Sequence, residues 1–169
     1  VVGPNGIGKT TLINLLLKKV QPDFGTVKLG MALSIAVFDQ NKEALPTDLS
    51  LWNFLSGITE LGGSGKNDQI MVHGKPRHIV GYLNDFLFTR EQTYGLISDL
   101  SGGEKSRLLL AVLMAKDSNM LVLDEPTNDL DLETLDLLKE LISSYEGTVL
   151  FVSHDRDFID SVATHTFLM

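Results

Sequence analysis

Apolar positions along this 169-residue chain follow two different periods, and the switches between them outline its elements. Over residues 9–19, Leu12, Ile13, Leu15, Leu16 and Leu17 form a broad apolar face, which predicts an amphipathic helix. Pro22, Asp23, Phe24 and Gly25 read as a turn. The β-rich runs 26–30 and 32–38, separated by Gly30 and Met31, predict a strand pair. The polar stretch 39–48, with Pro46, predicts a loop. Residues 50–61 predict a helix with Ser50 at its N-cap, and 62–68 a flexible glycine-rich excursion. Helical spacing returns over 76–88 through Ile79, Val80, Leu83, Phe86 and Leu87. Residues 101–116 predict a long helix, almost wholly apolar after Arg107 and therefore buried. A strand at 120–123, an amphipathic helix at 132–145 and a buried strand at 148–152 complete the pattern. Strands alternating with helices predict an α/β domain with a parallel sheet. No internal repeat or heptad pattern is present.

The length fits one domain, with room for a subdomain and a sizeable core. With no cysteine, disulfide scaffolds, thiolate metal sites and thiol catalysis are excluded. The longest apolar run, Leu108 to Ala115, is eight residues, whereas a membrane-spanning helix needs about 20. No basic segment followed by an apolar one marks a secretory signal. The chain opens with Val1 and Val2 directly before a glycine-rich turn, so the expectation is a fragment whose first strands lie upstream in a longer parent. The net charge of −8 is uneven: residues 1–90 carry nine Lys or Arg against seven Asp or Glu, and residues 91–169 five against fifteen. That balance argues weakly against broad nucleic-acid binding by this segment alone.

Chemistry enters with Gly3-Pro4-Asn5-Gly6-Ile7-Gly8-Lys9-Thr10, which matches the phosphate-loop pattern G-x-x-x-x-G-K-[ST]. Glycines let backbone N–H groups turn inward around a phosphate, and the helix that follows points its positive end there. Lys9 suits the β- and γ-phosphates, the Thr10 hydroxyl a Mg²⁺ ion, and Thr11 the α-phosphate. The candidate nucleotide-binding set is Gly3, Asn5, Gly6, Gly8, Lys9, Thr10 and Thr11. A chance glycine turn matches this pattern in well under about one chain in a hundred of this length. The similar Gly63-Ser64-Gly65-Lys66 has Glu60 where the first glycine belongs, Asn67 after the lysine and no strand before it, so it reads as a loop.

Asp124 and Glu125 close the apolar run 120–123. Strands ending in solvated acids are common, but with a phosphate loop upstream Asp124 suits the Mg²⁺ shell and Glu125 suits orienting or deprotonating water. Ser101-Gly102-Gly103-Glu104 opens the long helix as a capping box. Two glycines in the first turn weaken a helix, so their use is close approach to an anion, one bound to another subunit or domain. Gln40 follows the run ending at Phe38 and could sense Mg²⁺ or the attacking water. His154 follows the run 148–152 and suits a γ-phosphate. His73, His78 and His165 read as structural.

In this order, "GPNGIGKTT", "VFDQN", "LSGGEKSR", "LVLDEPTNDLD" and "VSHDRDF" resemble the nucleotide-binding domain of the ATP-binding cassette (ABC) superfamily over nearly the whole chain. The resemblance implies a phosphate-loop NTPase fold: a RecA-like parallel-sheet core over 1–49 and 117–169 and a helical signature subdomain over about 50–116, without the N-terminal strands. It implies ATP and Mg²⁺ as ligands, with Mg²⁺ on Thr10, Gln40 and Asp124, and catalysis by Glu125, His154 and Gln40. A second cassette, head to tail in the same chain or as a second copy, would face Lys9, Thr10, Gln40, Asp124, Glu125 and His154 with its copies of Ser101, Gly102 and Gly103. Asp131 matches the dimer-contact loop. "EPTNDLD" with "YEGTVLFVSHDRDFID" resembles the soluble ABC-F proteins, and "KPRHIVGYLNDFLF" the second cassette of their Uup-like branch.

The function so implied is cytoplasmic ATP binding and hydrolysis coupled to action at a ribosome or nucleic acid through regions outside this sequence. The alternatives are the ATP-binding subunit of a membrane transporter and a nucleotide-binding module without turnover. Chromosome-maintenance ATPases insert a long coiled coil between their nucleotide motifs, and the interval here has no heptads. The adenine-stacking aromatic that such cassettes place ahead of the phosphate loop has no counterpart, and the signature carries Glu104 where transporters commonly carry Gln.

Overall fold

The structure, a computed structural model, describes residues 1–38, 42–63, 65, 67–128 and 130–169. In chain order the elements are α1 (Lys9–Leu16), β1 (Ile35–Phe38), α2 (Leu51–Gly57), β2 (Gln69–Val72), β3 (Lys75–His78), α3 (Ile79–Asp85), α4 (Arg90–Tyr94), α5 (Gly102–Ala115), β4 (Met120–Asp124), α6 (Leu132–Ser144), β5 (Thr148–Val152) and α7 (Arg156–Val162). They fall into two units: Val1–Asp39 with Ser118–Asn128 and Leu138–Met169, and Gln40–Asp117 with Asp129–Leu137.

The first unit holds a parallel sheet in the order β1-β4-β5. Ile35 pairs with Met120 at one end of β4, and Asp124 pairs with Val152 at the other. Leu121, Val122 and Leu123 are all buried, so the central strand reads as a continuous apolar run rather than an alternation. Ile13 of α1 packs with Val122 and Val152, which fixes the helix start over the carboxyl end of the sheet.

Two sequence expectations fail here. Residues 26–30 form no strand; only Ile35–Phe38 does, and its partner is β4 in parallel rather than an adjacent run. Helix α1 stops at Leu16 instead of residue 19. There Lys18 adopts the left-handed region at φ 56°, its N–H bonds Leu15 O, and the N–H of Lys19 bonds Asn14 O. That is the Schellman closure usually reserved for glycine.

The second unit is built on buried Leu51, Leu55, Leu83, Ile97 and Leu108. Its helices start where short polar side chains cap them. Ser50 accepts from Asn53 N, and Thr89–Gln92 and Ser101–Glu104 are complete capping boxes. The helix expected over 76–88 is another correction. Gln69–Val72 and Lys75–His78 form an antiparallel hairpin, and α3 begins only at Ile79. His73 and Gly74 make its two-residue turn, both at positive φ (47° and 73°), the geometry that matches strand twist. Pro76 has no N–H to give, which an edge strand tolerates. Gly63 is set by packing, since a Cβ there would lie 2.3 Å from Ser56 O.

No helix among the described residues is long and apolar enough to cross a membrane.

Candidate functional site

Gly6 and Gly8 bend the chain into α1 at φ 78° and 106°, conformations that a side chain strains. Among the described residues a Cβ on either would meet nothing within 4 Å, so it is the backbone angle and not crowding that requires glycine there. Gly3 is different. A Cβ there would stand 3.0 Å from Met169 O, so close packing holds that end of the loop. Gly8 caps α1 with no side-chain hydrogen bond, whereas α2, α4, α5 and α7 are capped by side chains. The first-turn N–H groups of α1 are thus left for an anion, at the positive end of the helix.

Lys9 is buried at 7% exposure. Its ammonium donates to Gly3 O at 2.9 Å and to Pro4 O at 3.0 Å, and lies 3.1 Å from His154 Nε2. The hydroxyl of Thr10 donates to Asp124 Oδ2 at 2.8 Å. Asp124 Oδ1 is buried and has no hydrogen-bond partner among the described residues. An open carboxylate oxygen beside a hydroxyl suits Mg²⁺, which takes few protein ligands and fills its shell with phosphate and water. No cluster of three or more His, Cys, Asp or Glu among the described residues forms a metal cage by itself.

Glu125 follows in the left-handed region at φ 49°, its N–H bonded to Val152 O at 2.9 Å. A non-glycine residue there costs about 1–2 kcal/mol. The turn aims its carboxylate at the end of β5, where the His154 N–H donates to Oε2 at 3.2 Å and His154 Nε2 lies 3.1 Å from Oε1. His154 is held by its neighbours: buried Ser153 shares a hydrogen bond with Thr127 at 3.2 Å, and Asp155 caps α7 through Phe158 N. A cleft of about 370 Å³ is lined by Asn5, Gly6, Gly8, Lys9, Thr10, Thr11, Asp124, Glu125 and His154. The first unit therefore brings together residues drawn from three separated stretches of the chain.

The remaining sequence candidates belong to the second unit or lie beyond what the structure describes. Gln40 lies outside the described residues. Ser101, Gly102, Gly103 and Asp131 belong to the second unit. Ser101 Oγ accepts from Glu104 N at 3.2 Å, and Glu104 Oε2 accepts from Ser101 N at 2.7 Å. The Ser101 backbone N–H, then its hydroxyl, hold the Glu104 carboxyl below the ordinary range. Asp131 caps α6 by accepting from Thr134 N at 2.7 Å, and hydrogen bonding from Thr134 lowers its pKa too, with the Arg107 charge adding. His73, His78 and His165 are exposed. The sequence reading passed over the placement of Arg107, which is buried at 6% exposure beside Asp131. Its only sequence signal is a cation opening the apolar half of α5.

The ABC transporter family model matches residues 1–128. The ATP-binding protein Uup of Escherichia coli K12 is 51% identical over 168 residues, 99% of this chain and 25% of its own length. Uup of Caulobacter vibrioides is 48% identical over 169 residues, 100% of this chain and 27% of its own. The chain thus spans about a quarter of the length of these curated relatives. Among solved structures, a metal-chelate type ABC transporter in an inward-facing conformation matches with a TM-score of 0.72 and 27% identity, covering 99% of this chain and 67% of that one. An archaeal ribosome recycling factor, solved with a ribosomal stalk protein, matches with a TM-score of 0.67 and 28% identity over 95% of this chain and 29% of its own.

Proposed function

The chain belongs to the ABC transporter family, and from that membership we propose that it is an ATP-binding cassette that hydrolyses ATP, of the ABC-F kind. The observation that carries this reading is the convergence of Lys9, Thr10, Asp124, Glu125 and His154 on one cleft at the uncapped start of α1. In it Gly3, Asn5, Gly6, Gly8, Lys9, Thr10 and Thr11 bind the ATP phosphates. Thr10 and Asp124, with Gln40, hold Mg²⁺, which when bound neutralises phosphate charge. Glu125 orients or deprotonates the attacking water.

His154 has a switching role in this scheme. Its Nε2 faces an ammonium donor and a carboxylate acceptor, both at 3.1 Å, and one nitrogen serves only one of them at a time. When Lys9 turns to a phosphate, Nε2 is left facing Glu125 alone.

Ser101, Gly102 and Gly103 act on the nucleotide of a second cassette, head to tail, and Asp131 lies in the contact between the two. The Ser101 hydroxyl accepts from Glu104 N, which fixes it at the start of α5. This reading assigns a RecA-like core to 1–49 and 117–169 and a helical subdomain to about 50–116. Similarity to Uup and to a ribosome recycling factor supports a cytoplasmic ABC-F protein acting at the ribosome or on nucleic acid. Similarity to a metal-chelate type transporter favours a second reading, the ATP-binding subunit of a transporter. A second cassette in the same gene product supports the first reading, and an adjacent permease gene the second.

The test is Glu125→Gln in the complete gene product. Turnover of ATP falls by about 100-fold or more while ATP binding persists. Unchanged turnover would overturn the assignment of Glu125.

A further inference from the structure

Outside the cleft, the second unit buries a guanidinium that no step above uses. The Arg107 side chain is 7% exposed, and its partners come from two segments of that unit, 87–88 and 131–133. Nη1 donates to Leu87 O at 3.2 Å, and the guanidinium carbon lies 5.6 Å from the centre of the Phe88 ring. Leu87 is held at φ 62°, a strained angle for a leucine that turns its carbonyl to the arginine. Nη2 lies 3.6 Å from Asp131 Oδ2 and 3.9 Å from Glu133 Oε2.

Asp131 is held from both sides. Oδ1 accepts from Thr134 N, and Oδ2 occupies the space that Gly103 leaves open, 2.9 Å from where a Cβ would stand. Any side chain on Gly103 would push out the oxygen that Arg107 attracts. Arg107 Nε is buried with no hydrogen-bond partner among the described residues, so the guanidinium is held through Nη1 and Nη2, and the Nη2 ion pairs tie α5 to the start of α6.

We propose that Arg107 is a positioning residue: by holding Oδ2 of Asp131 against Gly103, it presets Ser101, Gly102, Gly103 and Asp131 as one surface. The inference rests on the proposed function for its consequence, since that surface is the one offered to a second cassette.

The experiment compares Arg107→Met, Arg107→Lys and Asp131→Asn in the complete gene product. Arg107→Met lowers kcat by about tenfold or more with KM for ATP near wild type, because the phosphate loop is untouched. Arg107→Lys recovers part of kcat, since it keeps the charge; equal loss in Met and Lys variants would overturn the proposal. Combined with Asp131→Asn, Arg107→Met adds no further loss, and losses that multiply would refute action through Asp131. Glu133→Gln, removing an exposed contact, stays at wild-type turnover.

Amide exchange at Thr134, bonded to Asp131, gives a readout independent of ATP and speeds by about tenfold in Arg107→Met. Unchanged exchange counts against the proposal. If Arg107→Met does not fold, Thr134 exchange in Arg107→Lys and Asp131→Asn decides it. If the wild type does not hydrolyse ATP, the proposed function fails and Thr134 exchange alone decides Arg107.

Discussion

Lys9 and Asp124 divide the cleft chemically. The three protons of the ammonium have three acceptors in reach, so the lysine is fully satisfied without an anion and is buried at no unpaired cost. Asp124 is the opposite case, with one oxygen bonded to Thr10 and the other buried without a partner among the described residues. An unsatisfied buried carboxylate oxygen is retained where a cation uses it. Asp124→Asn removes the charge and leaves the shape, so Mg²⁺ affinity of the ATP complex drops by about 10–100-fold. A Mg²⁺ titration of ATP binding checks this. These residues were legible as a motif, because a phosphate loop needs glycines and a lysine at set spacing. The strained Glu125 backbone was not, since its φ is imposed by Val152 O on a neighbouring strand.

Helix ends account for most of the agreement and disagreement between chain and fold at the level of elements. Ser50 and Ser101 were recognisable as caps because capping is a contact three residues long. The end of α1 was hidden because a lysine, not a glycine, takes the left-handed position. Lys18→Gly therefore stabilises the protein by up to about 1 kcal/mol, read from a denaturant midpoint. The hairpin 69–78 was hidden because its short strands are followed at once by a helix, and helical spacing from Ile79 onward masked the turn at His73-Gly74.

The capping carboxylate of α5 also sets a pH dependence. Glu104 is held below its ordinary pKa, so its cap is fully present above about pH 4.3, where the unfolded carboxylate is ionised. The contribution is lost as pH falls through the depressed folded value. This contribution is thus level from neutrality down to about pH 4.3 and is lost at lower pH, and Glu104→Gln flattens the acid decline in melting temperature.

For the whole molecule, the decisive arrangement is the separation of chemistry between units. The phosphate loop, Asp124, Glu125 and His154 belong to one, and the Ser101 turn with Asp131 to the other. Under the proposed head-to-tail pairing, a polypeptide of residues 1–169 alone hydrolyses ATP weakly, and its rate per molecule rises with protein concentration. A turnover series over a concentration range checks this; a constant specific rate would count against pairing.

The chain by itself determined the phosphate loop, the acidic strand end, the Ser50 and Ser101 caps and the α/β class, because each is written in contacts of a few residues or in a short period. Tertiary structure alone decided the partner of Ile35–Phe38, the placement of His154 between Lys9 and Glu125, and the burial of Arg107 against Asp131. Those depend on which distant segments pack together, and side-chain spacing along a chain carries no record of that.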